Sequence, residues 1–358
     1  MRKFRQQPTD TQVKAGVLRI LIVKLSSLGD VVHAMPAVQD LRRAHPDVQI
    51  DWVVERGFAP LVARCAGVDR VIPCDLRRWR KKPFASQTRS EWKAFKTELQ
   101  AQVYDVVVDL QGLSKSALVS WLARTTAQGQ RVGMANRTEG SSFEAPARWV
   151  ADRAIELEPH VHAVQRSRLL CSKAFAYPMH GPSQYGLVVG NLAATPPVYT
   201  RLGAQPNAFV PRTPWVALVH GTSRVDKQWP QAHWVELGKR LNHSGFGVAL
   251  VHGSADEKAT SHAIADQVEQ SWVLPTLGLD ALVDTLAHCA GVVGVDSGVG
   301  HIAVALGLPH VQIYNFDTAW RTGPEGDGRQ VSVFAQPHPD VDAVWRAWEA
   351  LDTPVLCR

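Results

Sequence analysis

A chain of 358 residues is longer than one hydrophobic core usually supports, and 45% hydrophobic with 20% charged residues excludes a disordered chain, so two folded domains are expected. The formal net charge of +6 points to an acidic partner, whether nucleic acid, an anionic membrane or a phosphorylated substrate, without choosing among them. Five cysteines, Cys65, Cys74, Cys171, Cys289 and Cys357, are odd in number and lack C-x-x-C spacing, which excludes a disulfide framework and a zinc site and fits a reducing compartment.

Residues 1–16 are polar and without the apolar core of a secretory signal, so they read as a disordered leader. No apolar run reaches the roughly eighteen residues of a spanning helix, which leaves peripheral membrane contact open. Residues 17–24 form a strand of mixed aliphatics; Ser26, Ser27, Leu28, Gly29 and Asp30 break it ahead of a helix over 31–44. Asp30 stands where that helix begins, so spacing alone makes it an N-cap carboxylate. Strands follow over 49–55, 71–74 and 104–110 with helices or loops between, the alternation of a doubly wound parallel sheet.

Ahead of the last of these strands, Arg77, Arg78, Arg80, Lys81, Lys82, Arg89, Lys93 and Lys96 are opposed within their span by Glu91 alone. Such a run is first a solvated face. With Trp79 interleaved it also suits gripping phosphates or carboxylates while the indole lies on a sugar or acyl surface. Asp109 to Gly112, with Lys115 one turn into the next helix, repeat the strand-end arrangement. Residues 127–137 carry a short strand and a loop. Residues 158–170 form a helix presenting His162, Arg166 and Arg168 at spacings able to share a face, and 185–189 the last strand of the first half. Pro196, Pro197, Pro206, Pro211 and Pro214 make 196–214 a stiff connection and the domain boundary.

The alternation then resumes, with strands over 215–219, 246–252, 273–275, 291–295 and 311–314 and helices over 232–242, 257–269 and 279–288. After the first of these strands Thr222 and Ser223 offer hydroxyl donors, Lys227 is a flexible charge able to reach a phosphate, and Pro230 opens a helix. Glu257, after the second, either binds ribose hydroxyls or satisfies a helix dipole. The fullest junction is GVVGVDSGVGHIAVALGLPHVQIY over 291–314: a buried strand, a cap at Asp296 or Ser297, glycines 298 and 300 that permit close approach, and His301 one turn in. A helix N-terminus at a parallel strand's carboxyl end suits a pyrophosphate, although Asp-Ser-Gly is also an ordinary cap and His301 an ordinary interior histidine. Two such strand ends in one half favour a shared anionic ligand. Residues 341–351 make an amphipathic helix with Trp345 and Trp348.

In consistent order from about residue 18 to the last helix, ILIVKLSSLGDVVHAMPA, HGTSRVDKQWP and VDSGVGH resemble the heptosyltransferases of lipopolysaccharide inner-core synthesis, glycosyltransferase family 9. VIPCDLRRWRK and HAVQRSR resemble the type I members. The resemblance implies a GT-B fold, α/β, with two Rossmann-like doubly wound parallel-sheet domains facing a central cleft. Residues 17–195 would be the acceptor-binding domain, 196–214 the proline-rich linker, 215–335 the donor-binding domain, and 336–358 a helix crossing back to the first domain. The implied donor is ADP-L-glycero-β-D-manno-heptose and the acceptor the Kdo residue of Kdo-lipid A. The resemblance implies no cofactor and no nucleic acid, and a monomer working from the cytoplasm, peripheral on the anionic cytoplasmic face of the bacterial inner membrane.

By the same resemblance Asp30 matches the family's catalytic base, with Lys227 beside it in the catalytic pair. The donor set is Thr222, Ser223, Lys227, Glu257, Leu277, Asp296, Ser297, Gly298, Val299 and His301. The acceptor set is Ser27, Arg77, Arg78, Arg80, Lys81, Lys115, His162 and Arg166. Ser297 and Val299 stand where the family commonly has Thr and Leu, Ser223 where it has Thr, and Leu277 where a methionine contacts adenine. No D-x-D stretch is placed to hold a metal–diphosphate, so leaving-group charge falls to protein groups and metal-independent, inverting transfer is expected. The rival readings are a heptosyltransferase for a later core acceptor, a sugar-nucleotide epimerase of the same architecture, and a basic nucleic-acid-binding protein. The last lacks any helix-turn-helix, RNA-binding or zinc signature.

Overall fold

The computed structural model describes residues 17–190, 213–326 and 328–351. The leader over 1–16 and most of the proline-rich boundary over 196–214 lie outside them. The first sheet is parallel, with strands β1 (Arg19–Val23), β2 (Gln49–Glu55), β3 (Arg70–Cys74), β4 (Val103–Asp109), β5 (Arg124–Met134) and β6 (Arg153–Ile155) in the order β3-β2-β1-β4-β5-β6. Its helices are α1 (Leu28–Ala44), α2 (Ala59–Val62), α3 (Leu76–Trp79), α4 (Ser86–Leu99), α5 (Ser114–Leu122), α6 (Ala145–Val150) and α7 (Ala163–Phe175). Central β1 reads as an unbroken aliphatic run because helices cover both its faces: Ile20 and Ile22 pack with Val31, Met35 and Leu41 of α1, Leu21 and Val23 with Phe95 of α4 and Val119 of α5.

The second sheet repeats the plan, with β7 (Trp215–Val219), β8 (Gly247–Leu250), β9 (Ser271–Val273), β10 (Gly291–Val295), β11 (His310–Tyr314) and β12 (Gln330–Phe334) in the order β12-β11-β10-β7-β8-β9. Its helices are α8 (Gln231–His243), α9 (Ala255–Ala265), α10 (Leu279–Leu286), α11 (Gly298–Ala305), α12 (Ala319–Thr322) and α13 (Val341–Glu349). In both sheets the strand order reverses beside the first strand, β1 or β7, which opens a crevice at the carboxyl ends where ligands bind in such folds. The two crevices face each other, because Leu28 and Gly29 at the start of α1 pack on Gly298 and His301 at the start of α11.

Two expectations are corrected, and two strands join the sheets unanticipated. Residues 185–189 are not a sheet strand: Gly186 at φ 63° turns the chain, and Leu187 makes only an isolated antiparallel bridge to Cys65. Short β6, and β12 in the second half, take edge places that their mixed sequences did not advertise. The amphipathic helix α13 does not cross back to the first domain within the described residues. Val344 and Trp348 pack with Val216, Leu241 and Val311 of the second, because its apolar stripe matches the groove between α8 and β11.

Candidate active site

At the end of β1 the chain runs through Lys24 to Ser27 and into α1. Asp30, in the first turn, accepts hydrogen bonds from the Ser27 backbone N–H at 3.0 Å and its hydroxyl at 2.8 Å, so it does serve the helix start as spacing suggested. The same carboxylate also meets Lys24 Nζ at 3.4 Å and Arg166 Nη2 at 3.7 Å. Burial opposes its charge, but Lys24, the Ser27 bonds and His33 outweigh that and hold the carboxyl well below the usual carboxylate range. Lys24 is only 2% exposed, and its ammonium also donates to the Leu110 carbonyl at 3.0 Å. Burial lowers its pKa despite the partner.

The facing edge is built by β10 and α11. Ser297 caps α11 by accepting from the Gly300 N–H at 3.4 Å. Asp296 is buried and engaged on both sides: Oδ2 takes Lys227 Nζ at 2.5 Å, while Oδ1 lies 3.4 Å from both His301 Nε2 and Gln312 Nε2. Burial would raise its pKa, but the His301 and Lys227 contacts keep it well below the ordinary value. Thr222 donates to the Asp296 carbonyl at 3.2 Å, tying the β7 and β10 loops together. Lys227 is thus a cation held at the N-terminus of α11 by a carboxylate that His301 meets from its other side.

Between the two edges lies a cavity of about 190 Å³. Of the sequence candidates, Ser27, Asp30, Arg166, Ser223, Lys227, Asp296, Ser297, Gly298 and His301 line it. His33, Gly140, Arg321 and Thr322 also line it and were not foreseen, and neither was Lys24 beneath Asp30. The signals were present: a lysine closing an aliphatic strand and a histidine on the buried stripe of a helix. His33 and His301 stack edge-on with ring centroids 4.2 Å apart, and burial holds His33 neutral, well below its ordinary pKa.

The remaining candidates sit elsewhere. His162 caps α7 and reaches Gly323 of the second domain, its Nε2 2.9 Å from that carbonyl. Because Nδ1 accepts from the Val164 N–H, Nε2 carries the proton and donates. Glu257 accepts from the Gly253 N–H at 2.6 Å beside Gly221, at the β7 and β8 strand ends. Leu277 and Val299 pack half-buried on the core. Lys115 bonds Ser26 Oγ at 2.5 Å, next to the cavity rim. Arg77, Arg80 and Lys81 are exposed outside the cavity, and Arg78 is engaged by Asp75 at 3.0 Å and by Glu91. The Trp79 indole does not offer a sugar-stacking surface. It is 4% exposed, donates to Glu91 at 2.7 Å, and packs against Trp92 and Phe95, because a ring this large at the foot of α3 fills the gap above β3.

Among the described residues no group of three or more His, Cys, Asp or Glu is placed to hold a metal ion. Burial pushes the thiols of Cys65, Cys74, Cys171 and Cys289 up to about 12, which leaves them inert.

Residues 92–344 match glycosyltransferase family 9 (heptosyltransferase). The chain belongs to that family. It is 39% identical over 310 residues to lipopolysaccharide heptosyltransferase 1 of Pseudomonas aeruginosa, covering 86% of this chain and 82% of that one. Lipopolysaccharide heptosyltransferase 2 of Escherichia coli is 26% identical over 314 residues, covering 83% of this chain and 82% of that one. The solved structure of E. coli heptosyltransferase WaaC with ADP superposes with a TM-score of 0.80 at 33% identity, covering 93% of this chain and 99% of that one. The fold is therefore GT-B and the protein a glycosyltransferase.

Proposed function

We propose that the chain transfers L-glycero-D-manno-heptose from ADP-heptose to the Kdo residue of Kdo-lipid A, with inversion, while peripheral on an anionic membrane face. The observation that carries this reading is the cavity in which an ionised carboxylate on one domain, Asp30, faces a cation and a helix N-terminus on the other, Lys227 and α11. The diphosphate of a bound donor belongs on the α11 amides and the Lys227 ammonium, which meet negative charge as it builds on the leaving group. The acceptor hydroxyl then approaches from Asp30, on the opposite side of the anomeric carbon, and gives its proton to that carboxylate. A carboxylate with so low a pKa is a weak base. It suffices when the hydroxyl has already become acidic through its bond to the sugar, and it is ionised at every working pH.

Greater likeness to a heptosyltransferase 1 than to a heptosyltransferase 2 supports the inner Kdo acceptor over a later core acceptor. With ADP-heptose and Kdo-lipid A the protein should release ADP. Asp30→Ala should abolish release by about 10²–10⁴-fold while ADP still binds, since the nucleotide lies in the other domain. Loss of ADP binding along with turnover would return Asp30 to a helix cap and defeat the assignment.

A further inference from the structure

We propose that the outer face made by α4, α5, α6 and the turn over 80–84 docks the enzyme onto an anionic lipid bilayer. The inference rests on the lipid-borne acceptor for its use. It names the surface that brings the enzyme to it. Four large apolar side chains stand in water on this side: Phe84 is 89% exposed, Trp149 78%, Trp121 63% and Leu118 40%. Among the described residues the one other exposed large aromatic is Phe334, on the second sheet.

These side chains belong to one surface. Leu118 and Trp121, three residues apart, form a single stripe of α5, and α5 packs against α6, which carries Trp149. On its other flank α5 lies beside α4, because Val119 and Ala123 share an apolar cluster with Phe95 and Leu99, and Gln100 donates to the Leu122 carbonyl at 2.8 Å. The exposed side of α4 shows Arg89, Lys93 and Lys96, at helical spacings of four and three. Exposed Arg80, Lys81 and Lys82 fill the turn that leads to Phe84, and exposed Arg148 adjoins Trp149.

The chemistry selects the occupant. Apolar side chains standing separately among cations do not make the dry central patch of a protein interface. Indole and benzyl rings at headgroup depth, with lysines and arginines at lipid phosphates, are what a bilayer surface accepts. One weak signal holds a protein on a membrane only briefly; insertion and charge together hold it. The placement fits the reaction as well. Lys115, in the first turn of α5, bonds Ser26 beside the cavity rim, and Trp121 lies roughly 9 Å further along the same helix. A bilayer seated on Trp121 therefore brings lipid headgroups to the mouth of the site.

The test uses the full chain and vesicles without acceptor. Wild type should float with phosphatidylglycerol–phosphatidylcholine vesicles, weakly with pure phosphatidylcholine, and less as salt rises. Trp121→Gln with Trp149→Gln, and separately Arg89→Gln with Lys93→Gln and Lys96→Gln, should each lower partitioning by about tenfold. All five side chains are exposed and outside the proposed catalytic and binding machinery. Turnover on a deacylated, soluble Kdo acceptor should stay at the wild-type rate, and turnover on Kdo-lipid A in vesicles should fall with partitioning. Unchanged partitioning in both variants overturns the docking face. So does a wild-type dimer in light scattering that the tryptophan variant converts to monomer, since the face would then be a contact between copies. Turnover of neither acceptor by vesicle-bound wild type would instead sink the assigned reaction and leave the docking face standing.

Discussion

Lys24 decides how Asp30 behaves. A lysine 2% exposed holds its charge only beside a counter-charge, and its nearest one is the Asp30 carboxylate at 3.4 Å. Removing it with Lys24→Met takes away the main cause of the depressed Asp30 pKa, so the carboxyl rises and protonates at higher pH. The acid limb of kcat/KM against pH should move upward in the variant, while the wild-type profile stays flat through the ordinary carboxylate range. Coincident limbs would show that Lys24 does not tune the base. At the facing edge, Lys227→Ala should lower kcat with little change in acceptor KM, because its charge matters most as the diphosphate leaves. Wild-type turnover should withstand excess EDTA; strict metal dependence would mean that another charge takes the leaving group. Buried histidines give a second pH signature. Burial depresses His220 and His310 to about 4 against an ordinary value near 6.5. The unfolded chain thus binds protons that the folded one does not. This part of the stability is complete above about pH 6.5 and is lost as pH falls toward 4, on the order of a few kcal/mol. Urea midpoints measured across that window should fall, and His310→Asn should flatten the slope.

The pattern of residues 291–314 foretold β10, the α11 cap and the start of β11 to within a few residues, because buried parallel strands and strand-end glycines write themselves locally. Residues 185–189 misled for the same reason: an apolar run states that it is buried, not what it lies against, and Gly186 turns it along α2. Trp79 was legible as aromatic but not as core, since the Trp92–Phe95 platform that receives it is assembled only when α4 folds. Half of the cavity was readable from strand ends; Gly140, Arg321 and Thr322 were not, because they enter through the approach of two domains, which no local spacing records. That approach is tested at the α1–α11 contact. A Cβ on Gly29 would come 2.6 Å from Cδ2 of His301, a ring already held by Asp296 and His33. Gly29→Ala should leave each sheet folded, displace His301 and reduce kcat by about tenfold or more, the consequence of a shift near 1 Å at a reacting centre. A wild-type rate would mean that the two helix ends need not meet during the reaction.

At the scale of the whole molecule the two domains share one apolar cluster and are linked by polar contacts around a cavity between them. Sites that enclose ligands of this kind occupy about 300–1,000 Å³, and this one is about 190 Å³. The α1–α11 contact brings the two edges together, and parting them widens the cleft for a nucleotide sugar. The polar links across the boundary are suited to parting. Arg64 meets Asp284 at 2.7 Å, the Gly190 N–H donates to the same carboxylate at 2.6 Å, Gln165 donates to Glu325 at 2.9 Å, and His160 stacks on Trp320 with centroids 3.7 Å apart. Partly exposed pairs of this sort each contribute about 0–1 kcal/mol, so no single one locks the domains and several together bias them. Asp284 is a suitable single lever because it serves two partners from the first domain and lies outside the cavity. Asp284→Ala leaves both sheets intact and makes opening easier. In solution scattering the ligand-free variant should show a larger radius of gyration than wild type and return to the wild-type value when ADP-heptose is added, since the donor then bridges α11 and the α1 edge. Donor KM and kcat should change together, as they do when a closing step is weakened. Equal radii for the ligand-free variant and wild type would show that the Asp284 contacts do not govern closure, and the control would have to lie in the α1–α11 contact itself.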